Sequence, residues 1–168
     1  SDEKIRIVSM TITESGYYID SKTGKFAAGH QDMVADGASP NSPTSLFGVL
    51  VKALRLRRDT GAAPFTVLSC DNLPGNGNMT RQTVVGLASL SDPKLAQWIA
   101  NTVAFPNSMV DRIVPATTNR EILLVKNRFG VSDSLPVVGE PFRQWIIEDQ
   151  FPSGRPQLEK VGVEFVTD

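Results

Sequence analysis

Two apolar, β-branched runs bracket a stretch of helical periodicity, and that order constrains the fold more than any other feature of the chain. Residues 5–13 read IRIVSMTIT, with only partial alternation, which predicts a largely buried strand. Leu46, Val49, Leu50, Ala53 and Leu54 recur at the spacing of one helical face, with Thr44 or Ser45 as cap and Gly61 after the end. Residues 65–70, FTVLSC, form a short apolar run suited to a central strand. A strand, helix, strand order brings its two strands into parallel pairing.

The remaining elements follow from caps and breakers. Residues 20–43 hold three glycines and two prolines and read as a long loop, with a short hairpin near residues 21–24. A tight loop over residues 71–77 leads to a helix capped by Asn78 and running to about Leu90. Asp92-Pro93 opens another helix, with Leu95, Trp98, Ile99 and Val103 as its buried stripe. A strand is expected over residues 108–114, and a helix capped by Thr117 or Thr118 that ends near Gly130. Strands over residues 137–140, 144–149 and 161–166 close the chain. The expected fold is α/β: a Rossmann-like, open, mostly parallel sheet with added C-terminal strands, residues 1–168 forming one domain.

Composition narrows the chemistry. The 168 residues carry a formal net charge of -1, so a general nucleic-acid binder is not expected. No run of 18 apolar residues suggests a membrane span. With one cysteine, Cys70, and one histidine, His30, the chain has no internal disulfide, no multi-cysteine zinc site and no two-histidine metal site, and no metal is expected. A single cysteine suits a reducing compartment, so the cytoplasm is the expected location. No P-loop, HExxH, EF-hand or CxxC is present. Gly75-Asn76-Gly77 lacks the third glycine of a dinucleotide fingerprint and makes a weak phosphate loop.

Ligands of open parallel sheets collect beyond the carboxyl ends of the strands. Glu14 follows the first strand, Asp71-Asn72 follows the second, and Asp111-Arg112 lies in or near the third. An amide such as Asn72 suits recognition of a polyol oxygen and stabilisation of developing negative charge. A carboxylate at a sheet mouth can hold a hydroxyl or pass a proton. Each position also has a plainer role: an Asx-turn at Asp71-Asn72, a turn or salt-bridge residue at Glu14, an ion pair at Asp111-Arg112. Cys70 reads as a small buried hydrophobe with no base beside it. His30 is expected on an exposed loop, and Trp98 and Trp145 in the core. Arg55, Arg57 and Arg58 read as a solvated helix end, with a phosphate site as the alternative.

Five stretches in order resemble one family: TITESGY from Thr11, SLFGVLVKALRLRRDTG from Ser45, FTVLSCDNLPGNG from Phe65, FPNSMVDRIVP from Phe105 and EPFRQWIIEDQFPSGRP from Glu140. They span nearly the whole chain, and SCDNLPGNG with FPNSMVDR is highly specific. The chain thereby resembles the polyol-specific long-chain dehydrogenases, the mannitol dehydrogenase family. That resemblance implies an NAD-dependent enzyme (NADP not excluded), without metal, interconverting a polyol and its ketose. Members acting on mannitol and fructose match best, with fructuronate- and arabinitol-using members as alternatives. Asn72 then corresponds to the oxyanion-hole asparagine, Glu14 to the glutamate that exchanges protons with solvent, and Asp111 to the substrate-side polar network. Thr13, Cys70 and Asp71 fall in the cofactor-binding stretches.

Two family segments have no counterpart here. One is the GxGxFHRAHQ stretch of the first βαβ unit, which cradles the cofactor pyrophosphate. The other is the KxxxxNxxH stretch of the helical C-terminal domain, which carries the general base. The chain also starts on Ser1 rather than Met. It is therefore expected to match the later part of a nucleotide-binding domain, to lack catalysis alone, and to have those missing parts as partners. Exposed apolar surface is expected where they pack. The competing expectation is a stand-alone polyol-binding or interaction domain with a closed, polar surface.

Overall fold

The computed structural model describes residues 2–167; the side chain of Glu14 also lies outside the described residues. Strand β1 (Ile7–Met10) pairs in parallel with β2 (Thr66–Ser69), in a register from Ile7 opposite Thr66 to Met10 opposite Ser69. All four β2 residues are buried, as expected of a strand covered on both faces. Residues 104–111 run along the other edge of β2: Val67 N–H donates to the Ala104 carbonyl (3.0 Å) and Val110 N–H to the Asp71 carbonyl (3.1 Å). Their last part is β3 (Ser108–Asp111), which pairs antiparallel with β4 (Gln144–Glu148). β5 (Glu164–Val166) adds to β4 in parallel. Residues 137–140 form no strand. Pro136 and Pro141 bracket them, Gly139 weakens an extended run, and Val137 is 79% exposed.

One face of the parallel pair carries the main core. Helix α2 (Leu46–Asp59) buries Phe47, Leu50, Val51 and Leu54 there. α3 (Asn76–Ser91) adds Val84 and Leu87, and α4 (Pro93–Thr102) adds Leu95 and Ile99. The expected face of α2 is rotated: Leu46 and Val49 are exposed, while Phe47 and Val51 are buried. Apolar residues on both sides of that helix left the choice to its packing partners. On the opposite face, Leu68, Ile147 and Val163 form a second cluster against Ile7, Cys70, Trp145 and Phe165. Trp98 and Trp145 border these cores, each only partly buried.

The long loop is shorter than expected. An isolated bridge joins Ile19 and Phe26, and α1 (Gln31–Ala38) follows, with His30 as its N-cap. Gly29 and Gly37 disguised this helix as loop. Gly37 packs closely on α3, where a methyl on it would lie 3.0 Å from the Leu90 side chain. α3 also begins earlier than expected, after Gly75 in the left-handed region (φ 71°) rather than at an Asn78 cap. The last helix, α5 (Asn119–Phe129), has the expected Thr118 cap, completed by Glu121 as a capping box, and it ends at Gly130.

Within the arginine cluster, Arg57 is buried rather than part of a solvated helix end. Arg57 is 2% exposed and donates to the carbonyls of Ala63 (2.7 Å), Asp2 (2.6 Å) and Ile5 (2.8 Å). Arg58 donates to Asp92 (2.9 Å), which also caps α4 through Leu95 N–H.

A buried carboxylate, Asp36, ties α1 to the start of α2. It accepts from the N–H groups of Thr44 (2.8 Å) and Ser45 (3.1 Å) and from both hydroxyls. Burial pushes its pKa up, but the bonds from Ser45 and Thr44 outweigh burial and leave it below the usual carboxylate value. A depressed pKa stabilises the fold above the unfolded value of about 4 and loses that contribution as pH falls through the folded one. Asp36→Asn should therefore be less stable at neutral pH and lose less stability than the parent between about pH 5 and pH 3. Equal acid slopes in urea unfolding would show that Asp36 contributes nothing there.

Candidate active site

The carboxyl ends of β1, β2 and β3 open on one side of the sheet. Beyond β1 the chain turns through Thr13 into a 3-10 turn, Glu14–Tyr17, with Gly16 N–H bonded to the Thr13 carbonyl (2.8 Å). The side chain of Thr13 is exposed. Beyond β2, Cys70 N–H donates to the Met10 carbonyl (2.7 Å), and Thr11 Oγ1 donates to the Cys70 carbonyl (3.3 Å). The two loops are thus stitched together directly above the parallel pair.

Asn72 projects from the β2 loop, exposed, and its amide makes no hydrogen bond among the described residues. Asp111 ends β3, half-buried, also with no side-chain hydrogen bond among the described residues. The Asp71 carbonyl and Val110 N–H are hydrogen-bonded, so Asn72 and Asp111 each follow one member of a bonded pair. Asp111 lines a groove of about 320 Å³ with Arg112, Arg143, Trp145 and Val163. The indole N–H of Trp145 is buried and has no hydrogen-bond partner among the described residues. No ion pair joins Asp111 to Arg112; that guanidinium instead bonds the Glu140 carbonyl (3.0 Å).

Beneath these exposed groups lies a buried polar layer that sequence reasoning missed. Asn76 is 0% exposed; its amide donates to Asp71 Oδ1 (2.9 Å) and to the Ser108 carbonyl (2.9 Å). The Asn76 side-chain oxygen accepts from Gly77 N–H (2.8 Å) and Ser108 N–H (3.0 Å). Tyr17, also 0% exposed, donates its hydroxyl to Asp71. Burial and then the Asp71 bond raise the Tyr17 pKa, so the phenol stays protonated. Burial and then the charge of Asp71 raise the Cys70 thiol, which removes it as a nucleophile. Both missed residues sit inside the quoted motifs TITESGY and SCDNLPGNG, which was the available signal.

The N-terminus of α3 is not a phosphate cradle. Asn76 N–H bonds the Leu73 carbonyl (3.2 Å), Gly77 N–H the Asn76 side chain, and Asn78 N–H the Asn107 side chain (3.1 Å). Gly77 is a packing glycine, because a methyl there would run into the Phe105 and Pro106 carbonyls. Among the described residues, no group of three or more His, Cys, Asp and Glu side chains is placed to hold a metal ion. None of the described helices is long and apolar enough to cross a membrane.

A family model described as the mannitol dehydrogenase Rossmann domain matches residues 2–160. The chain belongs to the mannitol dehydrogenase family. A mannitol 2-dehydrogenase of Cereibacter sphaeroides is 60% identical over 165 residues, covering 98% of this chain and 34% of that protein. A polyol:NADP oxidoreductase of Gluconobacter oxydans is 49% identical, covering 99% and 34%. Among solved structures, the substrate-free D-sorbitol dehydrogenase aligns with a TM-score of 0.86 at 49% identity. The Pseudomonas fluorescens mannitol 2-dehydrogenase, in a ternary complex with NAD and D-mannitol, aligns with a TM-score of 0.84 at 48% identity. Each alignment covers 99% of this chain and 34% of the structure. The chain thus spans about a third of the length of the mannitol dehydrogenase relatives it matches. The resemblance drawn from its motifs and the expected α/β, Rossmann-type fold both hold.

Proposed function

We propose that this chain forms the later part of the nucleotide-binding domain of an NAD-dependent polyol dehydrogenase, with mannitol and fructose as its substrate pair. The observation that carries this is the convergence of the Thr13–Glu14 turn, Asn72 and Asp111 at the carboxyl end of three parallel-running segments, in a chain of this family. NADP stays open as the cofactor, since one close relative is a polyol:NADP oxidoreductase.

The residues present fit one half of a dinucleotide. The α3 N–H groups are already bonded within the protein, so no pyrophosphate belongs there. Thr13, exposed beyond the carboxyl end of β1 with no side-chain hydrogen bond among the described residues, and the neighbouring Cys70–Asp71 stretch fit the half that carries the nicotinamide. When bound, that cofactor supplies the hydride acceptor. The chain's own residues supply position and field. Asn72, with its amide unengaged, donates to the oxygen that gains negative charge as polyol becomes ketose. Glu14 passes the released proton towards solvent, and Asp111 orients the substrate-side hydroxyl network.

The rest of the family's length is proposed to supply the pyrophosphate cradle and the general base, so the 168 residues alone should turn over no polyol. Leu123, Leu124, Phe129, Leu135 and Val137 are all exposed, and α5 buries no residue of its own. That surface fits the larger protein better than a closed, stand-alone binding domain.

The test is an assay of the complete gene product with mannitol and NAD or NADP, and with fructose and the reduced cofactors. Fructuronate and arabinitol serve as comparison substrates. Turnover fastest with mannitol and NAD supports the proposal. Turnover fastest with another polyol or acid reassigns the substrate. No turnover with any pair overturns the enzyme reading.

A further inference from the structure

We infer that Asp71 is a positioning residue, whose half-buried carboxylate fixes Asn72 relative to Asp111 and to the turn bearing Glu14. The inference rests on the site reading proposed above. Three chain segments meet on this one side chain. From the turn after β1, Tyr17 donates its hydroxyl to Oδ2. From α3, Asn76 donates to Oδ1 at 2.9 Å, and from the loop itself Leu73 N–H reaches the same oxygen at 3.1 Å. The Asp71 carbonyl accepts from Val110 N–H at 3.1 Å, one residue before Asp111. Both side-chain oxygens are thus taken by protein donors.

The partners are themselves anchored. The Tyr17 carbonyl accepts from the buried Thr83 hydroxyl (2.5 Å), and the Tyr17 ring packs against Phe47 at 6.5 Å between centroids. Asn76 holds both the N–H and the carbonyl of Ser108 at the start of β3. Asn72 itself, by contrast, is exposed and its side chain makes no hydrogen bond among the described residues, so its aim depends on how the residues on either side of it are held. A carboxylate suits this task because it accepts several donors at once and returns none that need partners. Misplacing a reacting group by about 1 Å can cost about a hundredfold in rate, so a loop carrying an oxyanion donor gains from such fixing.

The experiment uses the complete gene product and compares Tyr17→Phe, Asp71→Ala and Asp71→Asn with the parent. Tyr17→Phe removes one oxygen and preserves the ring. It should lower kcat about tenfold while KM for the polyol and Kd for the reduced cofactor move by less than about twofold. Asp71→Ala should lose about a hundredfold. Asp71→Asn should recover about tenfold over Asp71→Ala, because its oxygen still accepts from Leu73 and Asn76 and its nitrogen can face the Tyr17 oxygen. A folded Tyr17→Phe protein with kcat within twofold of the parent overturns the inference while leaving the proposed function standing. So does an Asp71→Asn protein as slow as Asp71→Ala, which would assign Asp71 a role through charge. Where Asp71→Ala fails to fold, Tyr17→Phe against the parent decides alone. A parent without polyol turnover ends the proposed function and this inference together.

Discussion

In the complete gene product, Asn72→Ala should lower kcat for polyol oxidation by about two to three orders of magnitude, the range for removal of one oxyanion donor. The residue is exposed, yet its loop is stitched to β1 through Cys70 and to β3 through Asp71. Its amide makes no hydrogen bond among the described residues, which leaves its donors available to a substrate oxygen. Nothing in the fold leans on that side chain, and thermal stability should stay within about half a kcal/mol. Asn72→Asp keeps the size and replaces a donor with a negative charge beside a developing negative charge. It should be at least as slow. The decisive measurement is steady-state kcat beside cofactor affinity by fluorescence titration. A loss under about tenfold with unchanged affinity would remove Asn72 from the chemistry.

Asn76→Ala should be the most damaging single polar substitution for stability, by about 3–4 kcal/mol. The amide is 0% exposed and uses its full bonding capacity. Truncation leaves Gly77 N–H, Ser108 N–H and the Ser108 carbonyl short of partners where little water reaches, each costing about 1–3 kcal/mol if left unpaired. The apparent thermal midpoint should fall by about 10 °C, taking roughly 2–4 °C per kcal/mol for a protein of this size. Asn76→Asp should be no better, because its carboxylate would face Asp71 and the Ser108 carbonyl instead of donating to them. A midpoint within about 2 °C of the parent would mean that water or a local shift satisfies those groups.

These two residues stand four positions apart in one motif and differ in how far the sequence revealed them. The exposed position of Asn72 beyond β2 was legible because a strand followed by a loop puts it at the carboxyl end of the sheet. Asn76 was not, since its role depends on Ser108, 32 residues away, and on Asp71, whose other partner Tyr17 lies 54 residues before it. Spacing alone pointed to a glycine loop there, and the structure has a helix start whose N–H groups are consumed internally.

The same division runs through the fold. Capping at Ser45, Asp92 and Thr118, and the parallel pairing of β1 with β2, were readable because periodicity, caps and element order are local properties. The rotated face of α2, the helix concealed by Gly29 and Gly37, and the burial of Arg57 were not. Each was settled by what arrived from elsewhere in the chain: the sheet under Phe47, the Leu90 side chain over Gly37, the carbonyls of Asp2 and Ile5 around the guanidinium. By itself, then, the sequence determined most of the elements, their order and the strand ends where ligands of parallel sheets bind. Only the tertiary structure decided which faces are buried and how the loops at that edge are held, because those depend on contacts between segments that no local pattern encodes.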